Sequence, residues 1–372
     1  MKSNKKILVI SHSLIIDSYR RLFQNISKKK EFNITLLTPL FWKEAGKWQF
    51  FKKNDDDKNM KIIRNIPLFL WLSKPLLNLT LIYPSIFYLI LKKFDVIHII
   101  EEPYSLTSFL VCLLSRFTNK DAKLLCFSAQ NIKKNFPFPF SFFERFVINN
   151  CTIMLPLTED ISKVLRAKGS KKIHKIIPLT VNEIEGSKPL RNNLSGNIIR
   201  IGFAGRFEEV KGIDLFIDLA ESMSNKKLRF YAVGKGSYLE NLIQSPSIEY
   251  LGHKEHKEML EFYKNIDILI VPSRTMPNIK EQFGRVVIEA INANSIVICS
   301  DSGELKNLVH DKRLIFKENN LKDLKEKLNN ALSILKNDSA KDYRIKNRKR
   351  ILSQYSYKTV ANKLISIYKQ PK

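Results

Sequence analysis

Cysteine is scarce. The four in 372 residues are Cys112, Cys126, Cys151 and Cys299, all in apolar runs and none in C-x-x-C spacing. That excludes a disulfide scaffold and reads as four small buried hydrophobes in a reducing compartment. Glycine (12) and proline (14) are too few for a collagen-like or Gly-rich low-complexity chain. A clean run of about 20 apolar residues is also missing, so no transmembrane helix is expected. The most lipid-like stretch, Pro67 to Leu91, is broken by Lys74, Asn78, Pro84 and Ser85. Met1 to Lys6 followed by Ile7–Ile10 mimics the start of a signal peptide. Ser11-His12-Ser13 interrupts it with no small-residue cleavage site, so a first buried strand is expected. Acidic residues are the remaining shortage: 36 Asp+Glu face 63 Lys+Arg, a formal net charge of +27.

What is present is ordinary for a globular chain: 44% hydrophobic and 27% charged residues, enough for a real core. The length suggests two or three domains. The basic excess points to a polyanionic partner: nucleic acid, acidic lipid or a phosphorylated substrate. Compositional drift toward lysine accounts for part of it, since 47 of the basic residues are Lys and 16 are Arg.

Short β-branched apolar runs alternate with helical-period stretches. In the first half they are Lys6–Ser11, Phe32–Leu37, Asp95–Ile100, Lys123–Phe127 and Cys151–Leu155. In the second half they are Ile198–Phe203, Lys227–Val233, Ser247–Leu251, Ile266–Val271, Ser295–Ser300 and Leu314–Phe316. This is the pattern of βαβ units with parallel sheets, and two doubly wound α/β domains fit the length better than one. The polar Glu183–Gly196 stretch reads as the linker, and Lys341–Arg350, with six basic residues and one acidic, as a solvated helix face. The apolar and aromatic Pro67–Leu91 segment, with Lys61, Arg64, Lys74, Lys92 and Lys93 in and around it, reads equally as a core helix or as a helix lying on an anionic membrane.

Three segments carry candidate chemistry. In Ile201–Gly212 a buried strand ends at Gly205. Arg206 follows in the turn, and Lys211-Gly212 opens a helix. Two cations and a helix start at the carboxyl end of a parallel strand suit a diphosphate, and Gly205 lets a ligand approach the backbone. Val233-Gly234-Lys235-Gly236 offers a second Gly turn after a strand, without the third spaced glycine of a dinucleotide fingerprint. In Pro272–Ala290, Glu281 precedes Phe283-Gly284 at a helix start and Glu289 lies inside that helix. A carboxylate so placed can bond sugar hydroxyls while loop N–H groups meet phosphate.

Taken in order, Gly205-Arg206…Lys211-Gly212, Gly234-x-Gly236, Leu251-Gly252-His253, Val271-Pro272-Ser273, Glu281-x-Phe283-Gly284-x4-Glu289-Ala290 and Asp301-Ser302-Gly303 resemble the family 4 (group 1) glycosyltransferases, retaining enzymes of the GT-B fold. The resemblance covers about residues 198–335 and continues in Tyr355–Tyr368, which looks like the family's closing helix. It implies two Rossmann-like domains facing across a cleft. The acceptor domain would be 1–188, the nucleotide-sugar domain 189–350, and a helix at 351–372 would return to the first. It implies that Arg206 and Lys211 hold the donor diphosphate in place of a metal, and that Glu281 holds the donor sugar. Phe283 and Gly284 would offer backbone N–H groups, Glu289 would bind the ribose, and Gly234 and Gly236 would line the nucleotide pocket. No cofactor and no metal are expected.

The first half matches the family less well. The loop after its first strand, Ser11-His12-Ser13-Leu14, has no glycine, yet His12 is placed to face the cleft. Glu101 and Glu102 follow a strand and are candidates for acceptor contact. Ser128 or Gln130 stands where relatives often carry a histidine. Asp55-Asp56-Asp57 contains a DxD triplet in a polar loop and is not expected to bind metal.

The expected function is transfer of a hexose or hexose derivative from a nucleotide diphosphate sugar to a surface-glycan or glycolipid acceptor. A GT-B epimerase or phosphorylase and a basic nucleic-acid-binding protein are the alternatives. Residues 1–188 carry net +16 and residues 189–372 net +11. That bias toward the acceptor half favours an anionic membrane over nucleic acid, and so a cytoplasmic protein seated peripherally on the inner face of the plasma membrane.

Overall fold

A computed structural model describes residues 4–44, 47–68, 79, 83–89, 91–184, 198–225 and 227–372. The chain divides into two compact units, Met1–Thr180 with Tyr357–Lys372, and Val181–Ser356.

The first unit is built from β1 (Lys5–Ile10), α1 (Asp17–Ser27), β2 (Phe32–Pro39), β3 (Phe41–Glu44), β4 (Lys47–Phe50), β5 (Lys61–Asn65) and the one-turn α2 (Ile86–Leu89). β6 (Val96–Ile99), α3 (Leu106–Thr118), β7 (Lys123–Ser128), α4 (Phe140–Asn150), β8 (Ile153–Pro156), α5 (Glu159–Ala167) and β9 (Ile173–His174) follow. Seven strands form one parallel sheet in the order β5-β2-β1-β6-β7-β8-β9, and β3 pairs antiparallel with β4. β1, β6 and β8 run as continuous apolar stretches because helices cover both faces; Ile7 to Ile10 are fully buried.

The second unit contains β10 (Ile199–Arg206), α6 (Ile213–Glu221), β11 (Leu228–Lys235), α7 (Leu239–Gln244), β12 (Ile248–Tyr250), α8 (His256–Asn265) and β13 (Ile268–Val271). It continues with α9 (Arg285–Asn292), β14 (Ile296–Ser300), α10 (Leu305–Val309), β15 (Ile315–Phe316), α11 (Leu321–Lys336) and α12 (Ala340–Tyr355). Its six strands are parallel, in the order β12-β11-β10-β13-β14-β15. Gly202 in β10 is a packing glycine, since a Cβ there would stand 2.8 Å from Ile266 and Phe262 of the covering α8 segment.

The last helix, α13 (Tyr357–Lys369), belongs to the first unit. It buries Val360, Leu364 and Tyr368 in the core with Ile7, Phe23 and Val96. The Tyr368 hydroxyl lies 2.8 Å from Nδ1 of His98, whose burial lowers its pKa to about 3, so this imidazole is neutral at physiological pH.

All eleven sequence-read strands are present, with ends moved by up to three residues. The hairpin β3–β4 and the short β5 and β9 were not foreseen. Two readings need correction. Asp55–Asn59 is a 3-10 turn rather than a loop, and Asp57 is fully buried against the equally buried Arg20, at 3.1 Å. The basic stretch of α12 is not simply a solvated face. Arg344 is buried near Asp267 (3.9 Å), and Arg350 donates to the Leu308 carbonyl at 2.7 Å. In 67–91, Tyr83 and Ile86 are core residues while Leu68, Phe87 and Leu91 are exposed. Residues 69–78, 80–82 and 90 lie outside the described residues, as do 185–197 of the linker.

Candidate functional site

In an open parallel sheet, ligands bind beyond the carboxyl ends of the strands where the strand order reverses. In the second unit that point lies between β10 and β13. The loop after β10 makes a 3-10 turn at Glu209–Lys211 and enters α6 through Gly212, which adopts a left-handed φ of +68°. A Cβ at Gly212 would sit 2.0 Å from the Pro272 carbonyl oxygen, so the loops after β10 and β13 touch only because this residue is glycine. The Arg274 N–H donates to the Val210 carbonyl at 3.0 Å, and its guanidinium bonds Asp214 at 2.8 Å, which closes the two loops on each other.

At this junction the Lys211 ammonium donates to Oε2 of Glu281 at 2.6 Å, and the Ser273 hydroxyl donates to the same oxygen at 3.1 Å. The Glu281 backbone is pinned from beneath by Gly303 (φ +52°), where a Cβ would lie 2.1 Å from the Glu281 carbonyl oxygen. Thr275 is held by Glu318 through its N–H at 2.6 Å and its hydroxyl at 2.8 Å. Phe283 is buried edge-on to Tyr355, and Gly284 (φ +90°) caps α9.

The other candidate residues of the second unit stand apart from this pair. Arg206 is the last residue of β10, not a turn residue; it is 56% exposed and pairs with Glu208 at 2.8 Å. A Cβ on Gly205 would make only an ordinary contact, with Phe203 at 3.8 Å, so packing does not demand glycine there. Gly234 and Gly236 have a packing reason: a Cβ would lie 1.8 Å from the Gly205 oxygen and 2.3 Å from the Phe207 oxygen respectively. Glu289 is half-buried in α9, and burial raises its carboxyl above the usual range against the opposing pull of Arg285 and the Tyr263 hydroxyl.

The first unit repeats the arrangement at its own switch point, between β1 and β6. Glu101 Oε1 accepts the backbone N–H of His12 at 2.6 Å and the Tyr83 hydroxyl at 3.1 Å; Oε2 faces His12 Nδ1 at 2.7 Å. An ionised carboxylate only accepts, so Nδ1 carries the proton and the basic lone pair of His12 is on Nε2. The glycine-free loop is closed by serine instead. Ser11 Oγ accepts the Ser13 N–H at 3.1 Å and reaches the Ile100 carbonyl at 3.1 Å. Glu102 takes the Ser128 hydroxyl (3.1 Å) and the Ala129 N–H (2.8 Å), and burial raises its pKa to about 7 despite both bonds. Gln130 accepts from Lys168 (2.8 Å), which also pairs with Glu144 at 2.6 Å and lies over Phe136.

Every candidate of the first half therefore sits at one sheet edge, but Glu101 and Glu102 are turned to His12 and Ser128. Sequence reading missed Tyr83, Lys168, Glu144, Ser273 as a Glu281 partner, and Thr275. Only Ser273, inside a quoted motif, carried a local signal. Among the described residues no three His, Cys, Asp or Glu side chains cluster as a metal site.

Residues 189–350 match the family model of the glycosyl transferases, group 1. An uncharacterized glycosyltransferase of Methanocaldococcus jannaschii is 28% identical over 176 residues, 45% of this chain and 47% of that protein. An uncharacterized 41.2 kDa protein from the cps region of Klebsiella pneumoniae is 26% identical over 258 residues, 61% of this chain and 67% of that protein. The chain thus spans about half the length of the first of these relatives. Among solved structures, a glycosyltransferase from Rickettsia africae superposes with TM-score 0.71 at 18% identity, covering 98% of both chains. Anabaena HepE, solved in complex with UDP, superposes with TM-score 0.69 at 12% identity, covering 98% of this chain and 99% of that one. The fold is GT-B: α/β, with two Rossmann-like parallel sheets and flanking helices.

Proposed function

We propose that the protein is a glycosyltransferase that moves a hexose or hexose derivative from a nucleotide diphosphate sugar to a glycan or glycolipid acceptor in cell-surface polysaccharide assembly. The observation that carries the reading is the Lys211–Glu281 pair, 2.6 Å apart at the switch point of the sheet and inside the region that matches the group 1 family. The UDP held by HepE supports a nucleotide donor, and the cps-region relative supports a polysaccharide product.

In the transfer, the bond from the sugar's anomeric carbon to the diphosphate oxygen breaks and a bond to the acceptor hydroxyl forms. Arg206 and Lys211 meet the charge that grows on the leaving diphosphate, which is work a metal does in other transferases. Glu281 leaves Lys211 to hold sugar hydroxyls, Glu289 bonds the ribose, and the Phe283 and Gly284 N–H groups meet sugar or phosphate. With retention of configuration, the acceptor proton passes to the departing phosphate oxygen on the same face.

The His12–Glu101 pair favours a second reading. A histidine held in one tautomer by a carboxylate is a base for the acceptor hydroxyl, and base-assisted attack from the opposite face inverts the anomeric centre. The NMR coupling of the product's anomeric proton, from an α-linked donor, separates the two: an α product means retention and a β product inversion.

The acceptor is lipid-linked, and the protein works at the cytoplasmic face of an anionic membrane. Among the described residues no helix is long and apolar enough to cross one. The test is release of UDP or GDP from a panel of nucleotide sugars with and without a glycolipid extract. Release that requires the extract supports transfer. Release or interconversion without it supports a hydrolase, epimerase or phosphorylase and sinks the proposal.

A further inference from the structure

α3 is amphipathic the wrong way round. Its buried side carries Thr107, Ser108, Val111, Cys112 and Ser115. Its large apolar residues, Leu106, Phe109, Leu110, Leu113, Leu114 and Phe117, are all left half-buried or exposed. A helix placed only to fill a core would turn the leucines inward. α4 continues the same surface. Phe109 stacks on Phe143 at 4.6 Å and meets Phe146 at 5.1 Å, while Phe117, Phe138 and Phe142 are 72%, 82% and 49% exposed. An aromatic strip of this extent has an occupant.

Charge identifies the occupant. α3 has no acidic residue, and the single acid of α4, Glu144, is buried and paired with Lys168. The exposed charges on the two helices are Arg116, laid over the Phe146 ring, and Arg145; Lys133 and Lys134 stand exposed in the loop before α4. α3 begins just beyond Glu101-Glu102, and α4 follows the loop that leads on from Ser128–Gln130. At about 1.5 Å per residue, the 13 residues of α3 span about 20 Å, too short to cross a bilayer and suited to lying on one.

We infer that the α3–α4 face, with Phe117, Phe138 and Phe142 inserted and Arg116, Lys133, Lys134 and Arg145 at the headgroups, docks on an anionic lipid bilayer. This rests on the lipid-linked acceptor proposed above and locates the membrane surface away from the 67–91 segment. The full chain is sedimented with vesicles of phosphatidylcholine alone or mixed with phosphatidylglycerol. Wild type pellets with the anionic vesicles, and less so as salt rises. Phe138→Ser with Phe142→Ser lowers the partition at least tenfold. Lys133→Glu with Lys134→Glu removes the preference for anionic vesicles. Both variants keep the wild-type thermal shift with UDP or GDP, which reports the second unit. Wild-type protein that binds neither vesicle, or an aromatic variant that binds as wild type, overturns the inference. So does a change of that variant from dimer to monomer in light scattering with unchanged vesicle binding, which would make the face a contact between copies. Vesicle binding lost in the variants but no transfer to any acceptor leaves the surface standing and overturns the transferase reading alone.

Discussion

The two sheet edges solve one problem with different materials. Each reverses strand order once, and at each reversal a base-bearing loop meets a carboxylate: Lys211 with Glu281 in the second unit, His12 with Glu101 in the first. The second unit builds its edge from glycine-tight loop contacts, with Gly212 against Pro272 and Gly303 against Glu281. The first builds its edge from side-chain hydrogen bonds among Ser11, Tyr83, Glu101, Glu102 and Ser128. Backbone-on-backbone contacts tolerate almost no substitution, whereas a side-chain network can exchange members. The edge of the second unit is therefore the less tolerant of substitution and that of the first unit the more tolerant.

The largest expected effect lies at the edge of the second unit. Glu281→Ala should lower transfer by about three orders of magnitude with the fold intact. A full rate in that variant, by nucleotide release, would remove Glu281 from the site. Next is the glycine support. Gly303→Ala drives a Cβ to within 2.1 Å of the Glu281 carbonyl at a left-handed φ, and should cost about 3 kcal/mol in denaturant unfolding and displace Glu281. Gly169→Ala in the first unit has a similar left-handed φ of +93° but nothing within 4 Å. Only the backbone strain of about 1–2 kcal/mol is expected there. Equal losses would show that the contact with the Glu281 carbonyl adds nothing to the backbone strain.

The pairs were unequally legible. In the second unit Arg206, Lys211 and Glu281 lie in short motifs beside strand ends, so they were legible, although the partnership of Ser273 with Glu281 was not. In the first unit His12 and Glu101 are 89 residues apart. Their pairing depends on β1 and β6 being neighbours, which a run of apolar residues does not reveal. Tyr83 and Lys168 had no local pattern at all. The strands were legible because burial on both faces demands continuous apolar runs. β5 and β9 were not, because β5 is only part-buried along most of its length and β9 is two residues long. Asp57 was misread because its partner, Arg20, is distant in sequence.

The first unit also has its own pH signature. Burial raises Glu102 from an ordinary 4.5 to about 7, so the folded state holds a proton that the unfolded chain has lost. Its contribution is full below pH 4.5 and declines as pH rises through 7, by up to about 3 kcal/mol. His98 works the other way. With its folded pKa near 3, it favours the folded state above pH 6.5 and loses that contribution as pH falls toward 3. The two oppose each other between pH 4.5 and 6.5, so the informative quantity is the stability difference between Glu102→Gln and wild type. It should grow from pH 4.5 to 7; a constant difference would refute the buried-acid assignment. Smaller still, Glu101→Gln should slow transfer about tenfold and shift the acidic limb of the pH–rate profile, because His12 loses the charge that orients it. An unchanged profile would reduce Glu101 to packing.

The most direct measurement is thermal unfolding of wild type and Arg206→Ala with UDP and with GDP. Arg206 is more than half exposed, so its removal leaves the core untouched. A nucleotide at about 100 times its dissociation constant adds about 2.7 kcal/mol to the folded state. The expected result is a clear rise in Tm for wild type with one of the two nucleotides and a much smaller rise for Arg206→Ala. No rise with either nucleotide, or the same rise in the variant, would contradict a donor diphosphate site at the end of β10.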